Sequence, residues 1–276
     1  RAFPAAGIRL TPRLSIGGGL GVAASHVELE GPYFLQAPGP LQGTPLILDT
    51  QGTGTDLHAN LGVSYQLTSR LRMGFSWVNR TEFDLSGHTN IDVAGIGRTR
   101  LESELAVKWP STFALGWMYE PGRNTRIGFD VLWYQWARSF DRLDLRLRDP
   151  DNPAFAPLIG AGIVEPLPLG WKDSVSLRFG FEEQYALGRT IRLGYVHQQS
   201  PLSTSLFTPY LPATLDRTFS VGHGWNYGPW GLDVAYQYSY GPRVFVGNSG
   251  IIGSDFSGSH SRTRLHTLMA SIRYVL

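Results

Sequence analysis

Seven histidines, His26, His58, His88, His197, His223, His260 and His266, are the side chains best suited to acid–base or metal chemistry, and they are scattered singly. No Gly-x-Ser-x-Gly turn, His-Glu-x-x-His pair or paired-Asp motif accompanies them. The spacing therefore supplies no activated nucleophile and no water-activating base. Cysteine is absent, which removes disulfides and thiol chemistry. No His/Asp cluster has ligand spacing, so neither a metal nor a cofactor is expected, and no catalysis. What remains are charges and aromatics. Arg178, Glu182, Arg192, Asp233 and Arg273 fall on the polar face of alternating stretches. There they can meet a carboxylate head group, or pair with one another and hold water. Trp136 and Phe140 stand at the end of a long alternating run, and Phe207, Tyr210 and Leu211 lie in a proline-rimmed loop. Both groups are candidates for contact with an apolar molecule, although aromatics at such places also serve as girdles and loop packing.

These groups are positioned by strands. From Trp171 to Tyr240 the chain separates by residue parity into two faces. Val175, Leu177, Phe179, Phe181, Tyr185 and Leu187 oppose Ser174, Ser176, Arg178, Gly180, Glu182 and Gln184. The period of two is that of a β-strand. It recurs at Ile191–Tyr195, at Phe219–Tyr227 and, after Gly228-Pro229, at Leu232–Tyr238. A soluble sandwich also alternates, so length and polarity decide the environment. Runs of about a dozen residues exceed the usual soluble strand of roughly five or six and suit a tilted membrane crossing of about nine to eleven. The polar face is rich in Gly, Gln and charge, a poor core but a good wet interior. The apolar face is rich in Tyr, Trp, Phe and Leu, as a lipid-facing surface is. The fold expected is all-β, a transmembrane antiparallel barrel.

Taken in order, the chain alternates short turns with long loops. Leu14 to about Glu30 reads as a strand, followed by a Gly/Pro-rich loop over 31–54 in which Pro45–Leu48 is either a surface strand or a plug-like insertion. Leu57–Leu67 and Leu71–Trp77 form a hairpin, the second strand extending through Phe83 and Leu85 to a loop near 87–97. Leu101–Trp109 descends through Pro110 to Phe113–Tyr119; Ile127–Trp133 climbs on through Trp136 and Phe140 to about Arg148. The loops 149–170, 201–216 and 247–261 separate the remaining strands. About eleven strands result, over one domain of residues 1–276. Bacterial barrels carry even numbers of strands, and Ala5–Leu10 reads as the tail of a strand in progress, so an N-terminal portion is expected to precede Arg1.

The bulk numbers agree. The 276 residues suffice for one large β domain, and the hydrophobic content is 42%. Mean hydropathy is −0.12 because interior-facing residues dilute lipid-facing ones. No run of eighteen apolar residues offers a membrane-spanning helix. A net charge of +2 is too small to suggest nucleic acid.

Several phrases together resemble the FadL-like long-chain fatty acid transporters of Gram-negative outer membranes (the OmpP1/FadL/TodX type). They are Trp171-Lys172-Asp173, Arg192-Leu193-Gly194-Tyr195 leading to Ser200-Pro201, and the Leu-Pro-Ala within Pro209–Ala213. Ser220-Val221-Gly222 and Asp233-Val234-Ala235-Tyr236 follow, with Pro110 before Phe113–Gly116 and the Asp130, Trp136, Phe140 strand upstream. The resemblance implies a monomeric fourteen-stranded barrel with an N-terminal hatch, of which the hatch and roughly the first three strands would precede Arg1. It implies residence in the bacterial outer membrane among its lipid and lipopolysaccharide. It also implies passive uptake of fatty acids or aromatic hydrocarbons captured outside and released sideways. Trp136 and Phe140 match positions near that substrate route. The alternative is a general or ion-selective porin, which would show opposed charged rows at a constriction. Inward positions here are often Gly, Ser, Gln or Ala, favouring a narrow or plugged interior.

Overall fold

The computed structural model describes residues 2–160, 162–208, 211, 213–253 and 256–275. Among these, the chain is almost wholly extended, with one single-turn helix, α1 (Ala156–Ile159), and two 3-10 turns, at Trp136–Arg138 and Thr204–Leu206. Strand β1 (Ala5–Arg9) turns into β2 (Leu14–Phe34), which pairs along its whole length with β3 (Pro45–Gln66). The next three crossings each come in two pieces. They are β4 (Leu71–Val78) with β5 (Thr81–Val93), β6 (Gly97–Trp109) with β7 (Thr112–Tyr119), and β8 (Thr125–Tyr134) with β9 (Arg142–Arg148). β10 (Gly162–Pro168) folds back on β9. There follow β11 (Ser174–Ala186), β12 (Arg189–Gln198), β13 (Arg217–Tyr227) and β14 (Trp230–Tyr240). The short pair β15 (Val244–Phe245) and β16 (His260–Ser261) lies in the last loop, before β17 (Arg264–Tyr274).

Neighbours β1–β2–β3–β4–β7–β8–β11–β12–β13–β14–β17 form one antiparallel up-and-down sheet, so the expected all-β architecture and its run of hairpins are present. Among the described residues β1 and β17 are not paired with one another. Short turns gather at one end and long loops at the other, the arrangement in which the loops face the cell exterior. At the two-residue turn between β11 and β12 Gly188 adopts φ +67°, and a Cβ there would collide with the Asn226 carbonyl.

The sheet changes character along its height. In the lower part of β3 the odd residues Leu57 and Leu61 are about 60% exposed on the outside (60% and 58%), with His58, Asn60 and Ser64 inside. In its upper part the even residues Leu46 and Leu48 are buried inside (4% and 3%), while Asp49 and Gln51 look out. A wall that is apolar outside and polar inside belongs in lipid; the reverse belongs in water. The strands therefore pass from membrane to extracellular lobe around residues 52–57 of β3, and around Ala23–His26 on β2. Above that level β5, β6, β9 and β10 extend the sheet from β3, and their inner faces bury Phe83, Leu85, Leu101, Val107, Leu145 and Leu147.

Two of the three split crossings correct the sequence reading, in which each is one continuous strand; the remaining one, β6 with β7, breaks where Pro110 interrupts the sequence reading too. Apolar residues stay odd-numbered through both pieces, so alternation alone shows no interruption. Phe75 and Trp77 face lipid, but Phe83 and Leu85 face the interior. A strand can exchange faces without changing parity only by breaking its pleat. The breaks fall at residues 79–80, 110–111 and 135–141, and the first two lie side by side. Their polar backbone is satisfied. Asn79 Oδ1 accepts from Ala59 N (2.8 Å) and Asn79 Nδ2 donates to the carbonyls of Leu57 and Arg80 (3.1 and 2.8 Å). Ser111 Oγ donates to Val78 O (2.9 Å) and accepts from Trp77 Nε1 (3.1 Å). Pro110, with no N–H to lose, suits its break.

Further corrections are local. Trp136 lies in a 3-10 turn and Phe140 just after it, not within a strand. Residues 45–54 are the top of β3 rather than a loop or plug, because Leu46, Leu48 and Thr50 belong to the lobe's core. The 87–97 loop shrinks to residues 94–96. The proline-rich loop over 149–170 contains α1 and β10.

Candidate functional site

The inversion of the wall leaves an apolar cavity of about 360 Å³ in the extracellular lobe. β2 contributes Val27 and Leu29, β6 contributes Leu105 and Val107, and the end of β10 contributes Leu167 and the following Leu169. Phe140 and Leu143 close one end, while Leu211 and Ile251 reach in from two loops. The lining is overwhelmingly apolar. An enclosed apolar cavity of about 150 Å³ already holds benzene, so this volume is ample for a monoaromatic ring.

Beneath it lies an aromatic cluster. Trp171 stacks on Phe140 (4.9 Å between centroids) and meets Trp136 edge-on (5.0 Å); Trp136 also contacts Phe140 (5.2 Å) and Trp109 (6.1 Å). The turn holding these rings is pinned by Phe140 N donating to Trp136 O (2.8 Å) and Trp171 N donating to Phe140 O (3.0 Å). Asp173 Oδ1 accepts from Ala137 N (3.0 Å). Trp136 Nε1 is buried and has no hydrogen-bond partner among the described residues.

A buried carboxylate ties the roof together. Glu165, on β10, is 1% exposed. Its Oε1 accepts from Gln36 N (2.6 Å) and Tyr33 Oη (2.8 Å), and its Oε2 from Ala37 N (2.8 Å). The Gln36 side chain in turn accepts from Ile252 N (2.7 Å) and donates to Ile252 O (2.9 Å), so β2, β10 and the last long loop meet at one point. Burial raises the Glu165 carboxyl above its usual range, and the donated hydrogen bonds only partly oppose that.

Toward the short-turn end the inner face is charged. Arg192 Nε donates to Glu182 Oε2 and Arg192 Nη1 to Asp233 Oδ1, both at 2.6 Å; Arg126 reaches Glu182 at 3.1 Å. Farther up, toward the long loops, Arg178 donates to Tyr134 Oη (2.9 Å), while at the short-turn end Arg273 donates to Asn226 Oδ1 (2.8 Å). A polar recess of about 230 Å³ opens among these groups.

Of the residues singled out from sequence, Phe140 and Leu211 line the apolar cavity, and Trp136 backs it through Phe140. Phe207 is buried nearby without lining it, and Tyr210 lies outside the described residues. Arg178, Glu182, Arg192, Asp233 and Arg273 share the inner face, and none of them lines the cavity. Sequence reasoning missed Val107, Leu143, Leu167, Trp171 and the Glu165–Gln36 junction. The usable signal was an apolar parity set continuing past the length a membrane crossing needs. Among the described residues no group of three or more His, Asp or Glu could hold a metal.

Comparison with known proteins places this architecture. The family model described as outer membrane protein transport protein (OMPP1/FadL/TodX) matches residues 3–270. Among solved structures, a Pseudomonas aeruginosa FadL homologue superposes with a TM-score of 0.73 at 16% identity, covering 97% of this chain and 64% of that one. The CymD monoaromatic hydrocarbon channel gives 0.72 at 18% identity, covering 98% and 71%. The Ralstonia pickettii toluene transporter TbuX gives 0.70 at 15%, covering 99% and 66%. The chain thus spans about two thirds of the length of these structures. No curated protein is similar enough in sequence to count as a match.

Proposed function

The chain belongs to the OMPP1/FadL/TodX family of outer-membrane transport proteins, and from that premise we propose that it admits hydrophobic molecules such as long-chain fatty acids or monoaromatic hydrocarbons through the outer membrane. The observation that carries this reading is the apolar cavity of about 360 Å³ on the extracellular side. An apolar solute crosses neither a polar cell surface nor a wet pore cheaply, and an apolar recess above the membrane gives it a first resting place. A ring that loses about 200 Å² of apolar surface gains roughly 5 kcal/mol. Association costs several kcal/mol in return, which leaves weak, reversible binding suited to passage rather than storage. The aromatic floor of Trp109, Trp136, Phe140 and Trp171 keeps water out of the lower side of the recess.

A porin needs an open, charged constriction. Here Arg192 is already paired with both Glu182 and Asp233, which speaks against opposed rows of unpaired charge on this part of the inner face. The test is uptake of radiolabelled oleate and of toluene by cells with and without the protein, alongside single-channel conductance. Saturable uptake with little conductance supports hydrophobic transport and names the substrate class. Large steady conductance without added uptake overturns it in favour of a porin.

A further inference from the structure

The lipid-facing side of β12–β17 holds a second feature, independent of the transport route. An apolar groove of about 430 Å³ runs down the outer face between Phe179, Leu193, Tyr195, Phe219, Val221 and Tyr238. Its rings are in contact: Tyr195 with Phe219 (4.9 Å), and Phe219 with Tyr240 (6.3 Å, nearly parallel). Tyr238 packs against Tyr240 (5.4 Å) and His266 (4.8 Å). At its extracellular end the pleat brings His197, Arg217, Tyr240 and Arg264 into one hydrogen-bonded row on the outward face. The Arg217 guanidinium lies over the Tyr240 ring at 5.9 Å. Exposed Arg243 and Arg262 stand in the loop just above. The carboxylate on this rim among the described residues is Asp216, set 3.9 Å from Arg217; Arg243, Arg262 and Arg264 make no ion pair among them. The acid of the neighbouring strands, Asp233, is turned inward onto Arg192.

A cluster of cations beside lipid in which, among the described residues, only Arg217 faces a carboxylate, at 3.9 Å, directly above a groove shaped for a hydrocarbon chain, matches one kind of occupant. We infer that this face binds a phosphorylated glycolipid of the outer leaflet, lipid A, with its phosphate on Arg217 and Arg264 and an acyl chain in the groove below. Guanidinium groups suit phosphate because they donate two parallel hydrogen bonds.

The experiment is native mass spectrometry of the whole protein in non-ionic detergent, titrated with diphosphoryl lipid A. The parallel arms use enzymatically dephosphorylated lipid A, phosphatidylethanolamine and inorganic phosphate. The proposal expects diphosphoryl lipid A to be retained in preference to the other three. The pair R217Q/R264Q should weaken retention about thirtyfold, as two surface cations facing an anionic lipid would, while R217K/R264K restores part of it. Both variants should enter the membrane and unfold on heating as the parent does, since the changed residues are exposed. Equal retention by parent and R217Q/R264Q overturns the assignment. So does equal retention of the dephosphorylated lipid, which would leave only an acyl groove. Displacement of the lipid by millimolar inorganic phosphate at equal affinity also overturns it, leaving an anion site without a lipid.

Discussion

Trp136 combines two roles that single substitutions can separate. Its ring is the centre of the aromatic cluster, touching Trp109, Phe140 and Trp171, while its Nε1 is buried without a partner among the described residues. Trp136→Phe keeps most of the packing and removes the stranded donor, so it should leave stability unchanged or raise it by about 1 kcal/mol. Trp136→Ala opens a cavity in the same place and should cost about 3–5 kcal/mol. Urea unfolding of both variants from lipid vesicles checks the pair. Glu165 carries the pH dependence of the lobe. Its carboxyl titrates above the usual range because it is buried, so the folded lobe binds a proton that the unfolded chain would already have lost. Its contribution is therefore full below the ordinary carboxyl range and fades as pH rises through the elevated value. Hydrogen exchange at Gln36 and Ala37, whose amides it accepts, should lose protection over that rise. In Glu165→Gln the slope should vanish, and a slope that persists would assign it elsewhere. Neither role was legible in sequence. Trp136 stood out as an aromatic near the implied substrate route but not as a stranded donor, and Glu165 sat among prolines in an apparent loop.

At the level of elements, one strand can report the membrane boundary. Ile47 and Leu61 lie on β3 with the same parity and both face outward, at 47% and 58% exposed, but Ile47 is above the inversion and Leu61 below it. Ile47→Arg should be tolerated within about 0.5 kcal/mol, as a surface change in water is. Leu61→Arg should cost about 2–4 kcal/mol, the charge being held in hydrocarbon. Leu48→Arg, facing the lobe's interior at 3% exposed, should be the worst of the three, because a buried charge lacks a partner. Reversible unfolding in vesicles orders them. Asn79→Ala strips the amide that joins Leu57, Ala59 and Arg80 across the pleat break and should cost about 1–3 kcal/mol through unsatisfied backbone. The hairpins themselves were readable from period-two alternation because register is fixed wherever one face is apolar. The break at Pro110 was readable from the proline, but the one after Val78 was not, because Leu71–Trp77 and Phe83–Leu85 keep one parity while the chain turns its faces over. Alternation reports which side is apolar and not which side that is.

The whole molecule is two environments stacked on one sheet. Its lower half is solvated by lipid outside and water inside, and its upper half by water outside and its own apolar core inside. That arrangement follows from the sequence's choice, strand by strand, of which parity carries Leu, Val and Phe. The cavity sits where the two meet, walled by β2, β6 and β10 and floored by the aromatic cluster. Uptake and assembly should therefore respond to different residues. Leu167→Glu puts a carboxylate into the cavity wall, where a hydrophobic solute would have to displace its water; a charge brought into an apolar recess costs several kcal/mol. The lower sheet, formed by β3, β4, β7, β8 and β11–β14, does not touch that side chain and should insert and resist heat as before. Initial rates of oleate or toluene uptake should fall at least about tenfold, each factor of ten being about 1.4 kcal/mol, with conductance unchanged. Arg192→Gln should do the opposite. It leaves Glu182 and Asp233 without their shared cation, loosening the inner face, and should raise conductance while the cavity-limited uptake rate holds. If the two variants instead shift both quantities together, the lobe and the membrane sheet act as one gate, and capture cannot be assigned to the cavity alone.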